Sequence, residues 1–239
     1  MIFNEPITTE QILALGDTHS IDVVSTVING YNISNCILIH VGDIGIGFAH
    51  IEKDTSKLNW LNNLCVEKNI KFLGLRGNHD SPNYFHPDHQ INKTLSNVEL
   101  VEDYSIKTIN DKKFLFAGGA VSIDRQYRTE GKDYWRGEKF VLPDNLETLE
   151  QCDVLISHSC PVEAPPYGFD NIKGWFKNDP KLKDDLIKER KDISTLVKQV
   201  NPSINVFGHY HTVIAERIDG IFYRGLDINE IVSVTNYLK

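Results

Sequence analysis

The chain has 239 residues, 41% of them hydrophobic and 24% charged, with a formal net charge of −8. That length fits one large domain, 1–239, with a core that buries roughly 70–75% of the unfolded surface. The negative balance excludes an extended duplex-DNA-binding face, which needs clustered Lys and Arg, yet allows a small phosphorylated substrate beside a local cation.

Short apolar runs alternate with helical spacing through the first third. QILALG reads as a buried strand that ends in Gly-Asp-Thr-His, and IDVVSTVINGY as a helix with Val23, Val24, Val27 and Ile28 on one face. CILIHVG is a second strand, LNWLNNLCVEKN a second helix through Leu58, Leu61, Leu64 and Cys65, and IKFLGLRG a third strand. Continuous apolar strands separated by helices are the pattern of parallel βαβ units. YSIKTI, KFLFAGG and DVLISHS come next as β-like runs, with a helix expected at DNLETLEQ and a long polar one over KLKDDLIKERKDISTLVKQV. SINVFGHYH, VIAERI, IFYRGLD and IVSVTNYL close the chain as consecutive strands. Loops at 119–140 and 159–181 are long for a compact domain, a length that usually marks function or mobility. No apolar run reaches membrane-spanning length, and MIFNEPITTEQ has neither the basic nor the apolar region of a secretory signal. Cys36, Cys65, Cys152 and Cys160 form no C-x-x-C pair and read as buried reduced thiols, which points to the cytoplasm.

The residues just after each apolar run carry the chemistry. Asp17 and His19 come after the first, Asp43 after the second, Asn78, His79 and Asp80 after the third, His158 after a fourth, and His209 and His211 after a fifth. Taken alone, Gly77-Asn78-His79-Asp80 is an ordinary turn sequence. Five such endings are different, because the carboxyl ends of parallel strands share one edge, where ligands bind. Residues i and i+2 of an extended segment point to one side, so Asp17 with His19 and His209 with His211 are expected to converge. Imidazoles, carboxylates and an amide form a mixed N/O donor set suited to Mn, Fe, Zn, Ni or Co. Seven donors exceed the needs of one ion and suit two ions about 3.5–4 Å apart that share a carboxylate.

The order DTH, GD, GNHD, ISHS and GHYH, spanning residues 17–211, resembles the calcineurin-like metallophosphoesterases, with a GGA-x-S-x-D stretch similar to bacterial and phage members. The resemblance implies an α/β, four-layer fold: a two-sheet β-sandwich of mixed strands flanked by helices, with a dinuclear metal site on the strand C-terminal edge. By that resemblance Asp17, His19 and His211 bind the first metal and Asn78, His158 and His209 the second, with Asp43 as the bridge. Two divalent ions, Mn²⁺ first among them, are the implied cofactors. His79 is implied as a catalytic imidazole beside the phosphate, and the implied reaction is attack on phosphorus by a metal-bound hydroxide.

One departure stands out. The phosphoprotein phosphatase branch has Gly-Asp-x-x-Asp-Arg-Gly at the second motif, whereas here Ile46 and Gly47 occupy the Asp and Arg positions. The usual orienter of the catalytic His is therefore missing, with Asp80 a possible substitute. Arg125 and Arg128, in the loop that also holds Arg136, Tyr127, Tyr134 and Trp135, are candidate replacements that grip phosphate, or else parts of a solvated loop. Pro161, Pro165, Pro166 and Trp175 make either a semi-rigid wall or surface packing. His40 reads as a core or supporting histidine, and Cys160 as a weak candidate near the metals. The leading reading is a phosphomonoesterase, with a phosphodiesterase acting on nucleotides or nucleic-acid ends as runner-up. A metal-binding interaction scaffold, the non-enzyme reading, is expected to have lost ligands or His79, and this chain retains them. The partner is accordingly a phosphorylated small molecule, nucleotide or phosphoprotein, and no membrane.

Overall fold

A computed structural model describes residues 6–166 and 169–238. Residues 1–5 of the stretch read for a secretory signal, and residues 167–168 of the second long loop, lie outside that description. In the first half, β1 (Ile12–Leu15), α1 (Ile21–Gly30), β2 (Cys36–His40), α2 (Ile51–Glu67), β3 (Ile70–Gly74) and β4 (Val98–Leu100) succeed one another. The second half adds β5 (Ile106–Ile109), β6 (Lys112–Ala117), β7 (Val154–Ser157), α3 (Leu182–Val200), β8 (Ile204–Phe207), β9 (Ile214–Ile218), β10 (Ile221–Gly225) and β11 (Ile231–Ser233).

The strands form two mixed sheets, ordered β11-β1-β2-β3-β4 and β5-β6-β7-β8-β10-β9. Alternation along each strand sorts the side chains into layers. Ile12, Ala14, Ile37 and Ile39 of one sheet meet Phe114, Phe116, Val154, Ile156 and Val206 of the other in a shared core. Leu13, Leu15 and Leu38 face outward onto Val24, Ile28, Leu58 and Leu61 of the first two helices. Leu115 and Leu155 face outward onto Ile193, Leu196 and Val197 of α3. Helices, sheet, sheet and helix thus make four layers, the α/β sandwich that the sequence implies.

Register brings the strand ends level. Leu15 pairs with His40 and His40 with Gly74 in parallel ladders. Ala117 likewise pairs with Ser157 across β6 and β7. The residues after each pair therefore emerge along one edge of the sandwich.

Three elements differ from expectation. DNLETLEQ forms only a 3₁₀ turn, Leu146–Thr148, because the backbone must be extended by Cys152, whose N–H bonds Val200 O at 3.0 Å, and Asp153, whose N–H bonds Lys113 O at 2.9 Å. The second helix begins at Ile51, well before its apolar spacing starts, because its first seven residues, Ile51–Lys57, are mostly polar and make about two turns. IVSVTNYL leaves the second sheet: β11 pairs antiparallel with β1, and Val234–Tyr237 continues as a 3₁₀ turn.

Candidate metal centre and cleft

The loop after β1 carries Asp17 and His19 before Ser20 caps α1, its Oγ accepting the Asp22 N–H at 3.3 Å. Asp17 is fully buried and its carboxylate accepts the His209 N–H at 3.1 Å, while Oδ2 lies 3.1 Å from His211 Nε2. His19 Nε2 lies 3.1 Å from His211 Nε2. The two i, i+2 pairs converge, but not by extended backbone. His19 has φ 53°, His209 φ 67° and His211 φ 49°, so left-handed turns beyond the strand ends aim the rings.

Asp43, also left-handed at φ 59°, stands between the two halves. Its Oδ1 lies 3.2 Å from His158 Nε2 and accepts the His79 N–H at 2.7 Å, and its Oδ2 lies 3.7 Å from His19 Nδ1. Gly77 makes this approach possible, for a Cβ there would sit 2.0 Å from Asp43 Oδ1 and 2.7 Å from His158 Nε2. Among the described residues three donor groups result, Asp17/His19/His211, His19/Asp43/His79 and Asp43/His158/His209, each with its donor atoms within 4.8 Å of one another. Asn78 joins the last through Oδ1, 3.1 Å from His158 Nε2. All seven candidate ligands are therefore brought to one place.

The chemistry of this donor set fits a cation. His158 Nδ1 bonds the Val41 carbonyl at 2.9 Å, which fixes the proton there and turns the Nε2 lone pair inward. That lone pair meets Asn78 Oδ1 and Asp43 Oδ1, both acceptors. Three acceptors facing one point need a positive charge between them. A proton supplies it in the protein alone. Burial disfavours the His158 imidazolium, but Asp43, through its charge and hydrogen bond, and Asp17 outweigh it and raise the pKa to about 9. Burial likewise opposes the Asp43 charge, and His158, His79 and His19 overcome it and hold the carboxyl far below its usual range. His209 is kept neutral by burial, with His158 adding to the effect, whereas the Asp17 hydrogen bond raises His211.

Supporting residues that the motifs did not reveal hold the donors. Asn78 Nδ2 donates to Ser122 Oγ at 3.0 Å, which leaves Oδ1 turned to the site. Ser122 N–H in turn bonds Glu138 Oε1 at 3.0 Å, and Glu138 is fully buried. Asp80 does not orient His79. Its carboxylate accepts from Ile44, Gly45, Ile46 and Gly77 N–H at 2.7–3.1 Å and stitches the loop after β2 to the turn after β3. His40 is a supporting residue: it takes the Gly42 N–H on Nδ1 at 3.3 Å, leaving Nε2–H for Thr18 Oγ1 at 3.0 Å, and burial drives its pKa to about 3. Cys160 packs with Phe207, Ile214 and Tyr223, and burial pushes its thiol up to about 12, so it does not join the donors.

The missing Arg at position 47 has a steric reason. Gly47 has φ 101°, and a Cβ would lie 2.3 Å from Ser81 Cβ. Ile46 is buried in the core rather than facing the site. Arg128 reaches the same place from another loop: Nη2 lies 2.8 Å from His79 Nε2, and Nε pairs with Asp124 at 2.7 Å. Phe48 stacks on the His79 ring, with centroids 5.9 Å apart. Arg125 goes elsewhere, to Asp179 at 2.5 Å and Asp185 at 2.6 Å, where it ties the loop to the start of α3. The structure therefore does not bring Arg125 to the site. Arg136 is exposed and pairs with Glu130 at 2.8 Å.

A two-sheet sandwich with a carboxylate shared between histidine clusters on its strand-end edge defines a narrow class of protein. The family model for calcineurin-like phosphoesterases matches residues 11–213, and the chain belongs to that family. The structure of TT1561 from Thermus thermophilus is similar over 96% of this chain and 96% of that one, at 11% identity and a TM-score of 0.54. The phosphopantetheinyl hydrolase PptH of Mycobacterium tuberculosis matches 93% of this chain and 90% of its own at 14% identity and a TM-score of 0.48. An archaeal phosphodiesterase matches 94% and 98% at 13% identity and a TM-score of 0.41. No curated protein matches the chain. Likeness at such identities speaks to fold alone.

Proposed function

We propose that this chain hydrolyses a phosphate ester, in the first instance a monoester, with two divalent cations held by Asp17, His19, His211, Asn78, His158 and His209 and shared by Asp43. The observation that carries the reading is the position of Asp43, whose two oxygens reach toward His158 on one side and His19 on the other. Mn²⁺ is the first ion to test, and the four imidazoles beside carboxylates and an amide also suit Zn, Ni, Co or Fe. When bound, the cations supply Lewis acidity toward the phosphoryl oxygens and lower the pKa of water.

The chain's own residues then have separable tasks. Arg128 donates to a phosphoryl oxygen, a charge-assisted contact that also fixes the substrate in line with His79. Arg has no acceptor, so its contact with His79 Nε2 leaves the neutral ring's proton on Nδ1. When Arg128 turns to phosphate, His79 Nε2 loses its donor and is free to take up a proton, and the imidazolium so formed can bond the ester oxygen and pass that proton to it. Asp80, Ser122 and Glu138 keep the turns and Asn78 in place.

Retention of every donor together with His79 favours catalysis over a scaffold role. No helix among the described residues is long and apolar enough to cross a membrane. Four buried free thiols support a reducing compartment, the cytoplasm. The decisive experiment strips metal, restores Mn²⁺, Zn²⁺ or Ni²⁺, and assays p-nitrophenyl phosphate beside bis-p-nitrophenyl phosphate. Metal-dependent turnover with the monoester favoured is expected. Full turnover by metal-free protein overturns the reading, and preference for the diester promotes the phosphodiesterase alternative. Asp43→Asn is expected to lower binding of both ions, and two retained ions remove the bridging assignment.

A further inference from the structure

Beyond the donors the cleft changes character. It encloses about 410 Å³, with His19, Asp43, His79 and His211 on one side and Ile123, Pro166, Ile172, Trp175 and Leu186 on the other. The apolar side stands on a firm base, since Ile123, Ile172 and Trp175 pack against Val121, Leu182 and Leu186. Leu182 and Leu186 are successive turns of α3, and both are fully buried, which makes the wall a preformed surface. Tyr127 braces Trp175 edge-on, with ring centroids 5.9 Å apart.

The charges around the cleft narrow what this wall accepts. Arg128 is the one Lys or Arg among the described lining residues, and it already faces His79 and Asp124. Asp124 itself adds a negative group to the lining. A tail with a second phosphate would meet that carboxylate and no further cation. An uncharged apolar tail would instead leave water for Trp175, Ile123 and Ile172, which are half-buried and backed by Leu186, a gain proportional to the area covered.

We infer that the ester cleaved here is a single phosphate carrying an uncharged apolar leaving group of aryl size or larger, seated on the Trp175–Ile123–Ile172 wall. This inference rests on the phosphoesterase reading. In the reaction water oxygen bonds phosphorus, the bond from phosphorus to the ester oxygen breaks, and that oxygen takes a proton. The products are inorganic phosphate and a neutral apolar alcohol or phenol, with no change of oxidation state.

The test compares 1-naphthyl phosphate with phenyl phosphate, whose leaving oxygens have similar acidity, and adenosine diphosphate as the anionic-tail probe. The metal-loaded protein is expected to favour naphthyl over phenyl by about 10-fold or more in kcat/KM, the scale of a small apolar increment in a pocket. Trp175→Ala is expected to bring that ratio toward one, and Trp60→Ala, an exposed position on α2, to keep it. Should Trp175→Ala fail to fold, Ile123→Thr reads the same ratio with a hydroxyl on the wall. Calorimetry with naphthylmethylphosphonate and benzylphosphonate gives a second reading independent of turnover. A wild-type ratio near one in both assays, or a preference for adenosine diphosphate, overturns the inference. If no ester turns over with any metal, the phosphoesterase reading fails, while the phosphonate affinities still decide whether the wall selects apolar groups.

Discussion

Arg128 Nη2 lies 2.8 Å from His79 Nε2, so the cation and the imidazole are coupled within one cleft. Burial lowers the His79 pKa to about 4, Asp43 works against that, and Arg128 adds to it. The guanidinium is held by Asp124 at 2.7 Å and by the Asp133 carbonyl at 3.2 Å, a geometry that leaves it aimed at the reacting end of the cleft. Arg128→Ala is expected to lose about 1.5–3 kcal/mol of transition-state stabilisation, roughly 10- to 150-fold in kcat/KM. Arg125→Ala is expected to leave kcat/KM near the wild-type value and to lower the melting temperature, because Asp179 and Asp185 lose their shared cation. Steady-state kinetics and calorimetry on both variants check this, and equal kinetic losses would remove the distinction between them.

Ser122 is expected to act on metal affinity without touching a metal. Its Oγ accepts from Asn78 Nδ2 at 3.0 Å, which decides which end of the amide faces His158. Ser122→Ala frees that amide to rotate and is expected to weaken metal binding about 10- to 100-fold, the usual effect of removing a hydrogen bond that orients a ligand. Competition with a chelator measures it. Unchanged affinity would mean that packing alone holds Asn78.

Much of this was legible in the chain because the ligands all follow within four residues of a strand end, and strands announce themselves by apolar runs such as ILAL and CILIH. The shared edge follows from parallel register, which apolar runs imply without stating. The features that could not be read have particular causes. The i, i+2 argument assumed extended backbone, whereas left-handed residues at His19, His209 and His211 aim the rings. The β4 strand, Val98–Leu100, is too short to show a period. Arg125 and Arg128 are equivalent in sequence, and only the start of α3, distant along the chain, gives Arg125 its carboxylates. Asp80 looked like a neighbour of His79, yet its side chain faces four backbone N–H groups across the turn.

Glu189 makes stability depend on pH. Burial in α3 raises its pKa from 4.5 to about 7, although Ser159, His158 and backbone N–H groups of Val121 and Phe140 pull the other way. The folded protein therefore keeps a proton that the unfolded chain releases between these values, and stability falls as pH rises through that window. The cost is fully present by pH 8 and is of order 2–4 kcal/mol. Glu189→Gln carries no charge at any pH, so its stability relative to wild type is expected to improve from pH 5 to pH 8. Denaturant unfolding at the two pH values reads the difference, in which titrations common to both proteins cancel. Parallel pH profiles would show that Glu189 does not titrate in this range.

The neighbours Asn78 and His79 are expected to fail in different ways. Asn78 is buried, with Oδ1 in contact with His158 Nε2, so Asn78→Ala removes a donor and is expected to lower metal content first. His79 lies closer to the cleft, with Arg128 on its Nε2 and Phe48 on its face. His79→Ala is therefore expected to retain both ions and lose turnover, by about 10²–10⁴-fold for a poor leaving group, the range of general acid catalysis. For p-nitrophenyl phosphate, whose departing oxygen needs little protonation, the loss is expected to be smaller. Metal analysis and a leaving-group series separate the outcomes. Loss of an ion in His79→Ala would make His79 a ligand, as its place beside His19 and Asp43 allows. Equal losses across the series would instead give His79 a role in holding phosphate, because a contact to the phosphoryl oxygens stabilises every ester alike while a proton on the departing oxygen helps only those that need it.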